Sequence, residues 1–253
     1  MSKPARALII AGSDSSGGAG IQADAKAVTL LGGYAMTAIT ATTAQNTLGV
    51  TDIHPIPPAH IAAQIEACLS DIGADVIKIG MLHSAEVIET IAACLPEDIP
   101  LVLDPVMVAT SGSRLLEANA MEALKTRLIP RATLLTPNLP EAELLGGADG
   151  QSLLALGAKA VLLKGGHGAK DTLVDRLYTA GKTKEWSHKR LDTPHTHGTG
   201  CTLASAIATL LAQGHGLESA CGRAIAFVQA GIKAAPGLGK GHGPLGLKTP
   251  CQE

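Results

Sequence analysis

The chain has 253 residues, long enough to bury a substantial core, and carries a net charge of −2 with no Lys/Arg block. That charge balance disfavours a nucleic-acid partner or an anionic membrane surface. With 46% hydrophobic but only 2% aromatic residues, the core must be built from Ala, Val, Ile and Leu, which suits α/β layers better than an aromatic-rich sandwich.

Short aliphatic runs alternate with helical patterns along most of the length. Strands are expected at Ala7–Ala11, Ala38–Thr42, Val76–Ile79, Leu101–Leu103, Leu134–Thr136 and Val161–Lys164. Several are continuously apolar, as parallel strands covered on both faces are. Helices are expected near 20–31, 60–72, 84–95, 117–128 and 139–146. The repeated βα pattern predicts one domain over 1–253: a three-layer α/β/α fold with a mostly parallel sheet and helices on both faces. Residues 171–191, turning at Ala180-Gly181-Lys182, read as antiparallel edge strands. The glycine-rich stretch from Pro236 to Glu253 reads as a loop or loosely docked tail.

The five cysteines are odd in number and lack metal-ligand spacing; Cys68 fits the apolar stripe Ile61, Ile65, Leu69 and Ile72 as a small core residue. The N-terminus lacks a signal-peptide pattern and no 18-residue apolar run exists, so the expected setting is a reducing cytoplasm.

The segment Asp192–Cys201 carries the sharpest functional signal. Gly198-Thr199-Gly200-Cys201 leads into Leu203, Ile207, Leu210 and Leu211, an amphipathic helix by spacing. Small residues at a helix start leave backbone N–H groups aimed at one point, an anion site, and the same positive end favours a Cys201 thiolate. The plain alternative is a glycine-rich turn before an ordinary helix with a buried cysteine.

In such sheets the ligand crevice lies at the carboxyl ends of the strands. Gly12-Ser13-Asp14-Ser15-Ser16-Gly17-Gly18-Ala19-Gly20 follows the first strand; it is neither a P-loop nor a GxGxxG fingerprint, which disfavours a dehydrogenase. It reads as a close approach to a small ligand or as a turn needing positive φ. Gln45 offers an amide that can pair with an aminopyrimidine edge, or is a solvated loop glutamine. Asp104 ends a buried strand, where a carboxylate holds a Mg²⁺ shell or caps a loop. Asn138 and Glu141 share one face of a first helical turn, although acidic residues suit that position anyway. Lys164-Gly165-Gly166-His167 brings a cation after a strand, for function or as a snorkelling edge lysine. His54, His60, His83, His188 and His242 share no spacing and read as surface or packing.

Taken together, the chain resembles the ribokinase-like superfamily of small-molecule kinases, and within it the hydroxymethylpyrimidine/phosphomethylpyrimidine kinases of thiamine biosynthesis. The likeness rests on Ala11–Asp24, Thr43-Ala44-Gln45-Asn46-Thr47, Lys78-Ile79-Gly80-Met81-Leu82, Asp104-Pro105-Val106-Met107-Val108, Thr136–Glu141, Lys164–His167, Thr196–Cys201 and Gly241–Pro244, in family order. It implies ATP and Mg²⁺ as reactants, two successive phosphorylations of a small pyrimidine, and a homodimer. By the same resemblance Gly198, Thr199, Gly200 and Cys201 cradle the phosphoryl group, with Cys201 at the position of the superfamily's usual aspartate base. Gln45 would read the pyrimidine, with Gly12, Asp24, Met81 and Val108 lining its pocket. Asp104 and Glu141 would hold the metal, Asn138 and Thr196 would join them around the nucleotide, and Lys164 would neutralise its charge. Thr110 stands where many relatives have lysine, the Gly146–Gly157 region looks shortened, and the end lacks the Asn-His that often follows Gly-Pro. The nearest rival is a pyridoxal kinase of the same superfamily, and the rival of another class is a catalytically idle vitamin-binding protein.

Overall fold

A computed structural model describes residues 3–108, 112, 115–117, 119–147, 149–165 and 171–247. Thr110, Gly166, His167 and Cys251 lie outside the described residues.

Among the described residues, nine strands form one sheet in the order β3-β2-β1-β4-β5-β6-β7-β8-β9. They are β1 (Arg6–Asp14), β2 (Tyr34–Asn46), β3 (Gly49–Pro55), β4 (Val76–Ile79), β5 (Leu101–Leu103), β6 (Leu134–Leu135), β7 (Val161–Leu163), β8 (Thr172–Thr179) and β9 (Lys182–Lys189). The six from β2 through β7 in the sheet run parallel; β3 pairs antiparallel with β2, and β8 and β9 antiparallel at the other edge. β3 is an edge strand that the sequence reading did not name. The sheet is therefore mostly parallel with antiparallel edges, the ribokinase-like architecture.

Alternation along β1 explains the three layers. Leu8 and Ile10 point into one core with α2 (Pro58–Asp71) and α3 (Ala85–Cys94), while Ala7, Ile9 and Ala11 face α1 (Gly20–Leu30), α7 (Thr199–Ala212) and α8 (Leu217–Lys233). On the first face also lie α4 (Ala120–Ala123), α5 (Leu139–Leu145) and α6 (Gly150–Leu154). The expected helix over 117–128 is shorter and irregular: α4 passes into a π-helical turn at Leu124–Leu128 and a 3-10 turn at Ile129–Arg131. Leu124, Leu128 and Ile129 are all buried there, and Pro130 limits the helix. Among the described residues of the Gly146–Gly157 region, the one helix is the five-residue α6, capped by Asp149. Helix α8, not named from sequence, buries Ala220, Ala224, Ile225 and Val228.

The glycine-rich C-terminal stretch is a loop over its described part, as expected, and a closely docked one rather than a loose tail. Gly246 N–H donates to the Gly231 carbonyl at 2.9 Å, His197 N–H to Gly243 at 3.1 Å, and Leu245 is buried in the second core. Glycine lets this backbone lie directly on its neighbours: a Cβ at Gly241 would collide with the Thr47 carbonyl. No helix among the described residues is long and apolar enough to cross a membrane.

Candidate active site

A cavity of about 650 Å³ opens at the carboxyl ends of the parallel strands and runs between the starts of α1 and α7. Its walls include Gly12, Gln45, Met81 and Val108 at one end, Gly198 through Cys201 in the middle, and Asp104, Asn138, Glu141, Lys164 and Thr196 around them. Thirteen of the fourteen residues singled out from the sequence thus share one space. Asp24 does not: it is fully buried, bound to Lys78 Nζ at 2.9 Å through both oxygens and to Ser205 Oγ at 2.7 Å. A carboxylate with no exposed atom cannot touch a ligand, so its expected place in the pocket wall is corrected.

At the first end, the β1–β2 register shifts between Ala11 and Ser13. Gly12 sits in that shift against Met81, and a Cβ there would come within 2.8 Å of the Met81 sulfur. Gln45 is the penultimate residue of β2, where its Oε1 accepts a hydrogen bond from Thr43 Oγ1 at 2.9 Å and its amide nitrogen lies 3.5 Å from His197 Nε2. The amide is therefore oriented by the protein and faces the cavity, unlike a solvated loop glutamine.

Asp14 organises the loop between them. Its oxygens accept from Ser16 N and Oγ (both 2.8 Å), Gly18 N (3.2 Å) and Ala19 N (2.8 Å), and Oδ2 lies 2.8 Å from His197 Nε2. Burial would raise this carboxyl, but the His197 and Ser16 contacts outweigh it and bring it down to about 2. As an anion Asp14 only accepts, so His197 Nε2 carries the proton. Sequence reading missed this pair, whose members are 183 positions apart.

Gly198, at φ +80°, turns the chain into α7, and no side chain caps the helix. The N–H groups of Gly200 and Cys201 in this first turn lack helical acceptors and face the cavity with the positive end of the helix dipole. A Cβ at Gly198 would collide with the Gly18 carbonyl, and one at Gly200 would sit 3.4 Å from both Asp104 Oδ2 and Lys164 Nζ. The turn thus presses against both the first loop and the charged cluster.

In that cluster Lys164 Nζ lies 2.8 Å from Asp104 Oδ1 and 4.0 Å from Glu141 Oε2. Thr136 Oγ1 donates to Asp104 Oδ1 at 2.9 Å. Burial works against charge on Asp104, yet Lys164 and Lys78 hold the carboxyl below its ordinary value. Burial likewise opposes the Lys164 ammonium, and Asp104 and Glu141 outweigh it, so Lys164 stays protonated rather than snorkelling. Glu141 and Asn138 form a reciprocal capping box at the start of α5, each side chain bonded to the other's backbone N–H at 2.9 Å. Burial, reinforced by the Asp104 charge against Lys164, lifts the Glu141 carboxyl to about 7.

The expected Cys201 thiolate is also corrected. Burial pushes the thiol up to about 12; Lys78 pulls it down, but Asp24 and Asp104 pull the other way. Desolvation beats the helix dipole here. At the far end of the cavity, His188 of β9, expected as a surface or packing residue, lies 3.1 Å from Asp175 Oδ2, and Asp175 Oδ1 accepts from Gly165 N at 2.8 Å beside Lys164.

An anion nest at a helix start, a lysine–carboxylate cluster and a small-ligand recess at the strand ends of this sheet define a small-molecule kinase of the ribokinase-like class. The profile of the phosphomethylpyrimidine kinase family matches residues 14–246, and the chain belongs to that family. It is 51% identical to the "Thiamine biosynthesis bifunctional protein ThiED" of Geobacter sulfurreducens over 94% of this chain; the chain spans 51% of the length of that relative. It is 46% identical to the hydroxymethylpyrimidine/phosphomethylpyrimidine kinase of Haemophilus influenzae, covering 96% of this chain and 97% of that one. Among solved structures, the ADP complex of Bacillus subtilis pyridoxal kinase superposes with a TM-score of 0.90 at 36% identity over 98% of each chain.

Proposed function

We propose that the protein transfers the terminal phosphoryl group of ATP to the hydroxymethyl oxygen of 4-amino-5-hydroxymethyl-2-methylpyrimidine, and then transfers a second one to the phosphate of that product. The observation that carries this reading is the single cavity joining the Gln45 carboxamide to the α7 nest and the Lys164–Asp104 pair. In each step the acceptor oxygen forms a bond to the γ-phosphorus as the bond to ADP breaks. Such a transfer asks the protein for positioning and charge stabilisation more than for covalent work.

The N–H groups of Gly200 and Cys201 and the Lys164 ammonium would bind the transferring group, with Thr199 and Thr196 beside them. The recess of Gly12, Met81 and Val108 would hold the ring while Gln45 pairs with its amino edge. In the first step the acceptor is an alcohol that must lose a proton, which Cys201 in its thiolate form would accept, becoming a thiol. In the second, the acceptor phosphate has a second pKa of about 6 and is already largely deprotonated.

Asp104 and Glu141 fit a Mg²⁺ ion bound jointly with phosphates. Mg²⁺ prefers one or two carboxylates plus substrate oxygens over a protein cage, and the described residues contain no cluster of three or more His, Cys, Asp or Glu that could hold a metal. Burial is the main cause that raises the Glu141 carboxyl, with the Asp104 charge adding to it and Lys164 opposing. When bound, the ion would neutralise charge on the donor phosphates. The family resemblance also supports a homodimer, which light scattering checks.

Likeness to a pyridoxal kinase in fold supports the rival substrate, but Gln45 offers an aminopyrimidine both a donor and an acceptor. The test is a product assay with ATP, Mg²⁺ and one of three acceptors: hydroxymethylpyrimidine, its monophosphate or pyridoxal. The reading expects both pyrimidines to be phosphorylated; turnover of pyridoxal alone would overturn it.

A further inference from the structure

Beneath the nest lies a charge pair that phosphoryl transfer as described does not use. Lys78 at the end of β4 and Asp24 in α1 are both fully buried, and Nζ lies 2.9 Å from each carboxylate oxygen. Burying two ions is costly and gives little net stability compared with an apolar pair of similar volume, so their presence under a reaction centre asks for a reason. Their placement supplies one. The Gly20 N–H at the start of α1 points to the Cys201 sulfur at the start of α7. One turn further along each helix, Ser205 Oγ donates to Asp24 Oδ1 at 2.7 Å. The first turns of α1 and α7 are thus tied together at two successive levels. The upper tie lies in the cavity wall and the lower one carries the Lys78 ammonium.

We propose that Asp24, Lys78 and Ser205 form a positioning unit for phosphoryl transfer: the Ser205–Asp24 bond fixes the start of α7 relative to the acceptor loop, and Lys78 places a buried positive charge below Cys201. The backbone supports this close stacking, since a Cβ at Gly80 would come within 2.9 Å of Lys78 Nζ and 3.2 Å of the Ala11 Cβ. Burial would strip the Lys78 proton, but Asp24, and Asp104 beyond it, hold the ammonium above its ordinary range, so the charge persists. The thiolate form of Cys201, which accepts the alcohol's proton and returns to the thiol as the alcohol oxygen bonds to phosphorus, would then have a fixed counter-ion that never contacts substrate.

The proposal rests on the kinase reading, and three variants separate the two. Lys78→Met/Asp24→Asn removes both charges while keeping an acceptor for Ser205, and Ser205→Ala removes the tie while keeping the charges. Both are expected to lower kcat on the alcohol acceptor, by at least tenfold and at least threefold, with KM for ATP and pyrimidine within threefold of wild type. Iodoacetamide labelling of Cys201, followed by mass spectrometry without substrate, is expected to slow at least threefold in Lys78→Met, whereas a merely loosened site would label faster. Wild-type kcat in the double variant, a loss carried by KM, or unchanged or faster labelling would overturn the proposal. Should the charge variants fail to fold, the kcat of Ser205→Ala decides by the same criterion. A wild-type protein that phosphorylates no pyrimidine defeats the kinase reading instead, and leaves the labelling result standing.

Discussion

Glu141→Gln isolates the charge of one buried carboxyl without disturbing the helix it caps, because a glutamine oxygen still accepts the Asn138 N–H that Glu141 Oε2 holds at 2.9 Å. Burial beside Asp104, against the pull of Lys164, moves the Glu141 carboxyl from 4.5 to about 7. Between those values the folded protein keeps a proton that the unfolded chain has released. The folded state then binds more protons, so stability must fall as pH rises from about 4.5 to about 7 and level off above. At about 1.4 kcal/mol per pH unit, the whole loss is at most about 3 kcal/mol. The variant has nothing to titrate, and Lys164 keeps Asp104 at 2.8 Å. Glu141→Gln should therefore match wild type at pH 4.5 and exceed it progressively towards pH 8, by up to about 3 kcal/mol. Urea unfolding at four pH values in EDTA, without nucleotide, measures the difference directly. Stability curves of wild type and variant that run parallel from pH 4.5 to 8 would refute the reasoning. The same carboxyl must be ionised to hold a metal ion, so Mg²⁺–nucleotide binding near neutral pH should release a proton in wild type and less in the variant. Calorimetry in buffers of different ionisation enthalpy reads that count.

Cys201→Ala should cost about 100-fold in kcat with the alcohol acceptor, the usual scale of lost proton-transfer assistance, and less than about fivefold with the monophosphate. Equal losses on the two acceptors would reject the division of labour between them. Gln45→Met removes the donor–acceptor pair facing the ring and should lower kcat/KM for the pyrimidine by roughly 10- to 100-fold, with pyridoxal little affected; unchanged selectivity would count against the assignment of that amide. Gly198→Ala meets both a φ of +80° and the Gly18 carbonyl, so it should cost about 1–3 kcal/mol in urea unfolding and abolish turnover.

The parts of the fold legible in the sequence are those whose signal is local. Strands β1, β4, β5 and β7 lie under helices on both faces, so every residue of Val76–Ile79 or Val161–Leu163 is buried and each strand shows as an apolar run, Lys78 and the polar ends of β1 excepted. Strand β3 escaped because an edge strand exposing Thr51, Asp52, His54 and Pro55 has only Val50 and Ile53 to mark it. The end of the 117–128 helix escaped for another reason: its apolar positions are correct, but burying Leu124, Leu128 and Ile129 together widens the turn. The C-terminal glycines look like a flexible tail in composition, yet their lack of side chains is what lets 241–246 lie on Thr47 and Gly231.

The same division runs through the site. A lone amide, carboxylate or ammonium after an apolar strand was visible as Gln45, Asp104 and Lys164, because a strand end is a position that sequence can locate. What stayed hidden depends on which segments meet. His197 reaches Asp14 across 183 positions, and Lys78 sits inside an apolar strand where its charge has meaning only beside Asp24 and Ser205 of two other elements. The protonation of Cys201 belongs to this second class. A helix start argues for thiolate, but the dipole is worth about 1 kcal/mol, less than the desolvation that lifts the thiol to about 12. A cysteine at this helix start therefore reacts according to what lies beneath it. The charge that can draw Cys201 towards thiolate comes from Lys78, on a different strand and out of reach of either substrate.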